Sequence, residues 1–363
     1  MSGESTAPHP QPMEGHGAYE RNSRVQGAGS VPAIALLAAA AREAPLPGGD
    51  GPLTIADYGS ATGGNSLAPI AAALEALRAR AAARAVNVVH TDLPGNDFST
   101  LFRVLGEEPH SYMRGDPAVF PSAVGRSFYG QILPAGSVWL GWSSWAVQWL
   151  SRVPAEIPDQ VQVAFSRDDN AREAFARQAA EDWRTFLEAR ARELQPGGRL
   201  VVLTMASGDD GAFGYGPLLE AMFDTLTQMV GSGFVDAQAV RRMAIPTVGR
   251  SRAEFAAPFG PGGVAGLSLT HLDIFEAEDR IFAQYAADGD AEAFGARWAA
   301  FSRASVFPTL AAALDGGEGN SPTTNDFMDR LEAGMRTRLS RAPAPMRMPL
   351  AEMVIEKTAP PAR

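Results

Sequence analysis

Two carboxylates stand out for what surrounds them. Asp57 lies in "IADYGSATGGNS", an apolar-apolar-Asp-x-Gly-x-x-x-Gly run, and Asp92 lies in "HTDLPGNDFSTLF", directly after the apolar "AVNVV". Each acid ends a short strand-like apolar stretch and opens a turn that leads into a helical pattern. Open α/β sheets bind ligands at the C-terminal ends of their strands. Gly59 and the glycines after it let the backbone approach a ligand closely, and the N-terminus of the helix that follows favours an anionic group. A carboxylate ending the next strand, as Asp92 does, commonly accepts hydrogen bonds from ribose hydroxyls. Two ligands suit this pair: a nicotinamide dinucleotide and S-adenosylmethionine (SAM). The strict G-x-G-x-x-G of dinucleotide sites is absent, since Gly59 is followed by Ser60, Ala61 and Thr62. An acid just before the glycine turn is more typical of SAM enzymes. A plain strand-turn-helix without a ligand stays open on these residues alone.

The elements that must position these acids alternate over residues 50–206, the pattern of a parallel α/β sheet. Strands are expected at "LTIADYG", "VNVVHTD", "SVWLGWS" and "RLVVLTMA", with "VQVAF" a candidate small strand. Helices are expected at "VPAIALLAAAA", "LAPIAAALEALRARAAARA", "DFSTLFRVLGEE" and "NAREAFARQAAEDWRTFLEARARELQ". "AVQWLSRV" begins a further helix that Pro154 ends, and "PHSYMRGDPAVFPSAVGRSFYG" reads as a long irregular loop. After Ser207 the texture turns helical, with "LSLTHLDIFE" a strand among the helices and "AEMVIEKT" a final one. The expected organisation is a disordered stretch at 1–16, a ligand-binding core at 17–206, a mostly helical cap with a returning strand at 207–340, and a last strand and tail at 341–363.

Composition narrows the classes. The chain has 363 residues, 45% hydrophobic and 20% charged, an ordinary globular profile. A net charge of −10 argues against a nucleic-acid footprint. Basic residues are almost all Arg, with Lys357 the only Lys, which suggests a GC-rich, bacterial genome. There is no cysteine, so disulfides, thiolate metal sites and cysteine nucleophiles are excluded. The histidines are scattered without ligand spacing, and no metal is expected. The N-terminus lacks signal-peptide order and "VPAIALLAAAA" is too short to span a bilayer, so a cytoplasmic protein without a membrane partner is expected.

Several separated stretches, in order, resemble one family. They are "AYERNSRVQ", "ADYGSATGGNS", "TDLPGNDFSTLFRVL", "SFYGQILP", "WSSWAVQWLSRVP" and "FLEARARELQPGGRLVV". The chain resembles the SABATH family, the salicylate, benzoate and theobromine methyltransferases. The resemblance is good over about residues 17–205 and weak beyond. It implies a Rossmann-like class I methyltransferase sheet with an inserted α-helical cap, and a homodimer. It implies a SAM-dependent O-methyltransferase that makes the methyl ester of a small aromatic or isoprenoid-like carboxylic acid, with S-adenosylhomocysteine (SAH) as co-product. By the same resemblance Asp92 binds the ribose hydroxyls, Leu93 packs on the adenine, and Ser127 and Phe128 lie beside it. Tyr19, Ser23, Ser60 and Asn65 line the methionine end, together with Asp57 and Gly59 of the glycine turn, and Ser144 lies near the sulfur. Gln26 and Trp149 hold the acceptor carboxylate, and Trp145, Gln148 and Thr247 form the pocket wall. Asp97 is expected to be a plain helix cap, and Trp142 to pack in the core.

These residue types suit the reaction. A carboxylate with a pKa near ~4 is already ionised at neutral pH, so methyl transfer to it needs no general base. Amide and indole N–H donors orient a carboxylate without protonating it. The chain departs from the family where Trp145 replaces a usual Tyr and Thr247 a common pocket aromatic, and Gln148 leaves room for a polar contact. Arg241 and Ala244 stand where some members bind Mg²⁺. The rival readings are an N-methyltransferase on a purine-like heterocycle, a non-catalytic SAM-binding regulator, and a nicotinamide oxidoreductase.

Overall fold

A computed structural model describes residues 29–261, 263–316 and 323–358. β1 (Leu53–Tyr58) and β2 (Val86–Asp92) pair in parallel, Asp57 opposite His90, which sets the two acid-bearing turns side by side. β3 (Val119–Gly125) extends the sheet beyond β2, while β4 (Val138–Ser144) and β5 (Leu194–Met205) extend it on the other side of β1, all parallel. β7 (Pro349–Lys357) runs antiparallel to β5, and β6 (Leu267–Glu276) runs antiparallel to β7. Among the described residues the sheet has seven strands, ordered β3-β2-β1-β4-β5-β7-β6. Connections leave β1 in opposite directions, so the crevice between β1 and β4 is the switch point where such sheets bind ligands.

Helices cover both faces. α1 (Val31–Glu43), α2 (Leu67–Arg78) and α3 (Phe98–Glu107) bury Leu37, Ile70, Leu74 and Leu101 against β1, β2 and β4. α4 (Asp169–Glu193) brings Trp183, Phe186 and Leu187 to the opposite face, against Tyr58, Leu200 and Val202. A separate apolar cluster joins α5 (Gly216–Gly231), α9 (Ala291–Ser305), α10 (Phe307–Ala311) and α11 (Thr324–Arg341). Short α6 (Ala237–Arg242) and α7 (Arg252–Ala256) precede β6, and α8 (Arg280–Asp288) follows it. The expected Rossmann-like sheet and the helical block after Ser207 are thus both present, and Trp142 is buried at 1% exposure.

Four local expectations fail. The stretch expected to be an irregular loop contains β3. Its Pro121 is tolerated because β3 is the sheet's edge strand, where a missing N–H costs no ladder bond. "AVQWLSRV" does not form a helix. Trp145 takes a left-handed φ of 56°, its N–H bonds to Leu203, and Trp149 instead pairs with Thr247 in a β-bridge. "VQVAF" forms a 3-10 turn at Val163–Phe165, because the Gln162 side chain accepts from the Ala164 N–H and caps it. α2 stops at Arg78 because that side chain turns the chain back, donating to the carbonyls of Ala81 and Arg84.

Candidate active site

The glycine turn after β1 is shaped by close approach. Gly59 has φ +91°, and a Cβ there would sit 2.4 Å from the Ala146 Cβ, so no other residue fits. The N–H groups of Gly59 and Ser60 both donate to the Thr91 carbonyl at the end of β2. Asp92 closes the pair of turns: its carboxylate accepts from Ala61 N–H at 2.7 Å and from Leu93 N–H at 2.7 Å. Asn96 donates back to the Ala61 carbonyl at 2.8 Å. Burial raises the Asp92 pKa to about 6, against the lowering effect of those two backbone donors. Asp97 caps α3 through the Thr100 N–H, as expected of it.

Asp57 lies deeper than its motif implied, at 1% exposure. Its Oδ2 accepts from the Ser66 hydroxyl at 2.6 Å and lies 2.8 Å from His90 Nδ1. His90 Nε2 in turn lies 2.7 Å from the Tyr112 hydroxyl. The two ring nitrogens of His90 thus link the Asp57 carboxylate to the Tyr112 hydroxyl. This buried chain supports the floor of the turn from below. Asn65 is half-buried in the 3-10 turn Gly64–Ser66 just above it.

Two hydroxyls point to a ligand. Ser60 Oγ and Ser144 Oγ, at the ends of β1 and β4, are buried without a hydrogen-bond partner among the described residues. Buried polar atoms left unpaired cost stability, so such a pair at the switch point is available to the polar groups of a ligand. The glycine turn, the Asp92 carboxylate and these two hydroxyls together suit a SAM-like nucleoside with an amino-acid tail.

The segment carrying Ser127 and Phe128 is pinned by charges the sequence reading missed. Arg190 and Glu193, at the end of α4, are both fully buried and paired. Arg190 donates to the carbonyls of Phe128 and Gly130 at 2.9 Å each, and its guanidinium lies 4.1 Å from the centre of the Tyr58 ring. Glu193 accepts from the N–H groups of Ile132 and Leu133 and from the Tyr58 hydroxyl. Phe128 is thereby held over Gly59, with its ring 3.7 Å from where a Cβ would be. Leu93 is partly buried and Ser127 is exposed.

Next to this cradle lies an apolar cavity. Trp145, Gln148, Trp149 and Thr247 all line it, so the expected wall residues come together. The loop after β4 and the segment around Pro246 pair as strands do: Leu150 N–H bonds to Pro246, Val248 N–H to Gln148, and Trp149 bridges Thr247. Arg250, buried at 1% exposure, clamps the arrangement by donating to the carbonyls of Val147 and Ala179. The Tyr129 hydroxyl donates to the Trp149 carbonyl, joining the Phe128 segment to the cavity floor. Gln148 is less free than expected, since its amide is committed to Trp145 O and to the Thr204 hydroxyl. Gln162, from α4's approach, and Met205, Tyr215, Leu219 and Phe301 also line the cavity, and the sequence reading named none of them. Tyr19, Ser23 and Gln26 lie outside the described residues. No three His, Asp or Glu converge among the described residues.

Comparison with known proteins decides the family. The profile described as "SAM dependent carboxyl methyltransferase" matches residues 7–344. The chain belongs to that family. Methyltransferase FUS9 of Gibberella moniliformis is 31% identical over 242 residues, 66% of this chain and 64% of that one. The match thus spans slightly under two thirds of that relative's length. Salicylate carboxymethyltransferase of Clarkia breweri is 30% identical over 249 residues, 66% of this chain and 67% of that one. Loganic acid methyltransferase with SAH superposes with a TM-score of 0.77 at 21% identity, covering 96% of this chain and 99% of that one. That likeness establishes the class I methyltransferase fold for this family member. The relatives are fungal and plant, and they give no support to the bacterial source expected from composition. No helix among the described residues is long and apolar enough to cross a membrane.

Proposed function

We propose that this methyltransferase transfers the methyl group of SAM to a carboxylate oxygen of a small, largely apolar carboxylic acid of aromatic or isoprenoid-like type. The products are a methyl ester and SAH. The observation that carries the reading is the junction after β4. Within six residues the chain passes from the unpartnered Ser144 hydroxyl, beside the nucleoside cradle, to the indoles of Trp145 and Trp149, which line an apolar cavity.

When bound, SAM supplies the methyl group, the C–S electron pair staying with sulfur as the new O–C bond forms. Asp92 accepts hydrogen bonds from the ribose, while Leu93, Phe128 and Ser127 flank the adenine. Ser60, Asn65, Tyr19 and Ser23 hold the methionine end with Gly59, and Asp57 supports the turn from beneath. Gln26 and Trp149 donate N–H groups to the acceptor carboxylate and aim it without protonating it. Trp145, Gln148 and Thr247 exclude water. No proton moves, so the chain supplies alignment and a dry site, effects that reach roughly 7–11 kcal/mol. Residues 17–206 form the SAM-binding core and 207–340 the cap that sizes the acceptor. A cytoplasmic homodimer without metal completes the proposal.

The test is SAH release against a panel of carboxylic acids with purines and phenols alongside. Ester formation from an acid supports the reading. Turnover with purines only would make the protein an N-methyltransferase, and tight SAM binding without any turnover would make it a binding protein.

A further inference from the structure

The acceptor cavity is apolar, and most of the polar side chains in its wall are committed within the protein. Gln162 donates to the Thr247 carbonyl and hydroxyl at 2.8 Å each and accepts from Ala164 N–H. Gln148 is held by Trp145 and Thr204. Ser302 and Ser305 donate back to the carbonyls of Trp298 and Phe301 on their own helix. Tyr215 differs. It lines the cavity, is 4% exposed, and its hydroxyl is buried with no partner among the described residues.

Its backbone is also unusual. Tyr215 has φ 57° and ψ 19°, the left-handed region, at the start of α5. A bulky residue pays for that conformation, and it persists only where surroundings enforce it. The enforcing groups are visible: Gly214 lies against the Arg347 carbonyl, and Tyr215 N–H donates to the same carbonyl at 3.0 Å. The ring is fixed by edge contact with Trp298 at 6.2 Å and by a parallel stack on Phe301 at 6.5 Å. A phenylalanine would fill this place without burying an unpaired hydroxyl. Burial also holds the phenol's pKa well above its usual value, so the group is a permanent donor.

We propose that Tyr215 is a specificity-determining residue: its hydroxyl donates a hydrogen bond to a carbonyl or hydroxyl oxygen that the acceptor acid carries apart from its carboxylate. The preferred substrate class is therefore an oxygenated apolar acid, keto or hydroxy, rather than the bare hydrocarbon acid. The inference rests on the cavity being the acceptor site, as proposed above. It adds which kind of acid fills it.

The experiment uses the full chain saturated with SAH and reads acid binding from tryptophan fluorescence, since Trp145 and Trp149 line the cavity. Medium-chain and phenylalkanoic acids are each compared with their keto and hydroxy derivatives, in the parental protein and in Tyr215→Phe. At least one oxygenated acid is expected to bind about tenfold tighter than its deoxy parent, and Tyr215→Phe to erase that gap while parent acids bind unchanged. The melting temperature of the unliganded variant should equal or exceed the parental one. A gap that survives in the variant, oxygenated acids that never exceed their parents, or a variant that melts several degrees lower would each overturn the inference. Methyl transfer is followed in parallel. An acid with a Tyr215-dependent gap that is never methylated supports this inference while refuting carboxyl methylation.

Discussion

The proposed nucleoside cradle and the proposed acceptor cavity are built by different means. The cradle is mostly main chain. Gly59, Ser60, Ala61 and Leu93 act through backbone N–H groups, and Asp92 ties two adjacent turns together. The cavity is mostly side chain, and its lining comes from segments as far apart as Trp145 and Val306. Backbone geometry survives most substitutions nearby, whereas a wall of side chains changes shape with each one. The cradle can thus stay constant while the cavity is retailored. Among the described residues, the non-glycine residues at positive φ are divided between them: Ala61 in the cradle, Trp145 and Tyr215 in the cavity.

That contrast can be broken or sharpened by mutation. The largest effect is expected from Glu193→Ala, which strands the buried Arg190 and frees the Ile132 and Leu133 N–H groups. Loss of one partner of a buried pair costs about 3–5 kcal/mol, measurable by denaturant unfolding. A loss under about 1 kcal/mol would show that the Phe128 segment is held by something else.

Asp92→Ala should come next, weakening SAH binding by about 1.5–3 kcal/mol through lost hydrogen bonds to a charged group, read by calorimetry. Unchanged affinity would remove Asp92 from the ribose. The same carboxylate predicts a pH dependence. With a pKa of about 6 in the unliganded protein, Asp92 takes up a proton as pH falls through that value and stops being a full acceptor, so affinity should decline below pH 6. Folding runs the other way: a raised acid pKa means the folded state holds that proton more tightly, and Asp92's contribution to stability is lost as pH rises through about 6. Affinity that is flat from pH 5 to 7 would contradict the assignment.

Smaller effects belong to the cavity. Gln26→Ala and Trp149→Ala should each cost about 1–3 kcal/mol in kcat/KM for the acid while SAH affinity moves less than about twofold. Parental rates in both variants would displace the carboxylate clamp. The smallest expected effect is none: EDTA should leave activity unchanged, and a large loss would bring a metal into the site.

The same contrast decides what could be read in advance. The positions of Asp57, Gly59 and Asp92 at the ends of β1 and β2 were legible because a turn that needs glycine at positive φ and an acid at a strand's end are local patterns. The strands and long helices were legible from periodicity. β3 was not, because Pro121 forbids a central strand and only the sheet's order reveals an edge. "AVQWLSRV" looked helical because nothing in "SWAVQWL" announces a left-handed residue just before it. The pinning pair left a faint signal: the buried stripe of α4 at Phe186 and Leu187 continues onto Arg190 and Glu193, charges where apolar residues belong. Tyr215 left none, since its place depends on how α5 and α9 pack.

Tyr129 gives one more consequence. Its ring packs at 4.8 Å on Phe128, while its hydroxyl holds the carbonyl of Trp149. Whatever orders Phe128 therefore also restrains the residue proposed to face the acid. Equilibrium linkage makes such coupling mutual: the factor by which cofactor tightens acid binding must equal the factor by which acid tightens cofactor binding. Tyr129→Phe cuts the tether and leaves both binding surfaces in place. It should bring both factors toward one together, so the protein would lose cooperativity between its two proposed ligands before it loses affinity for either.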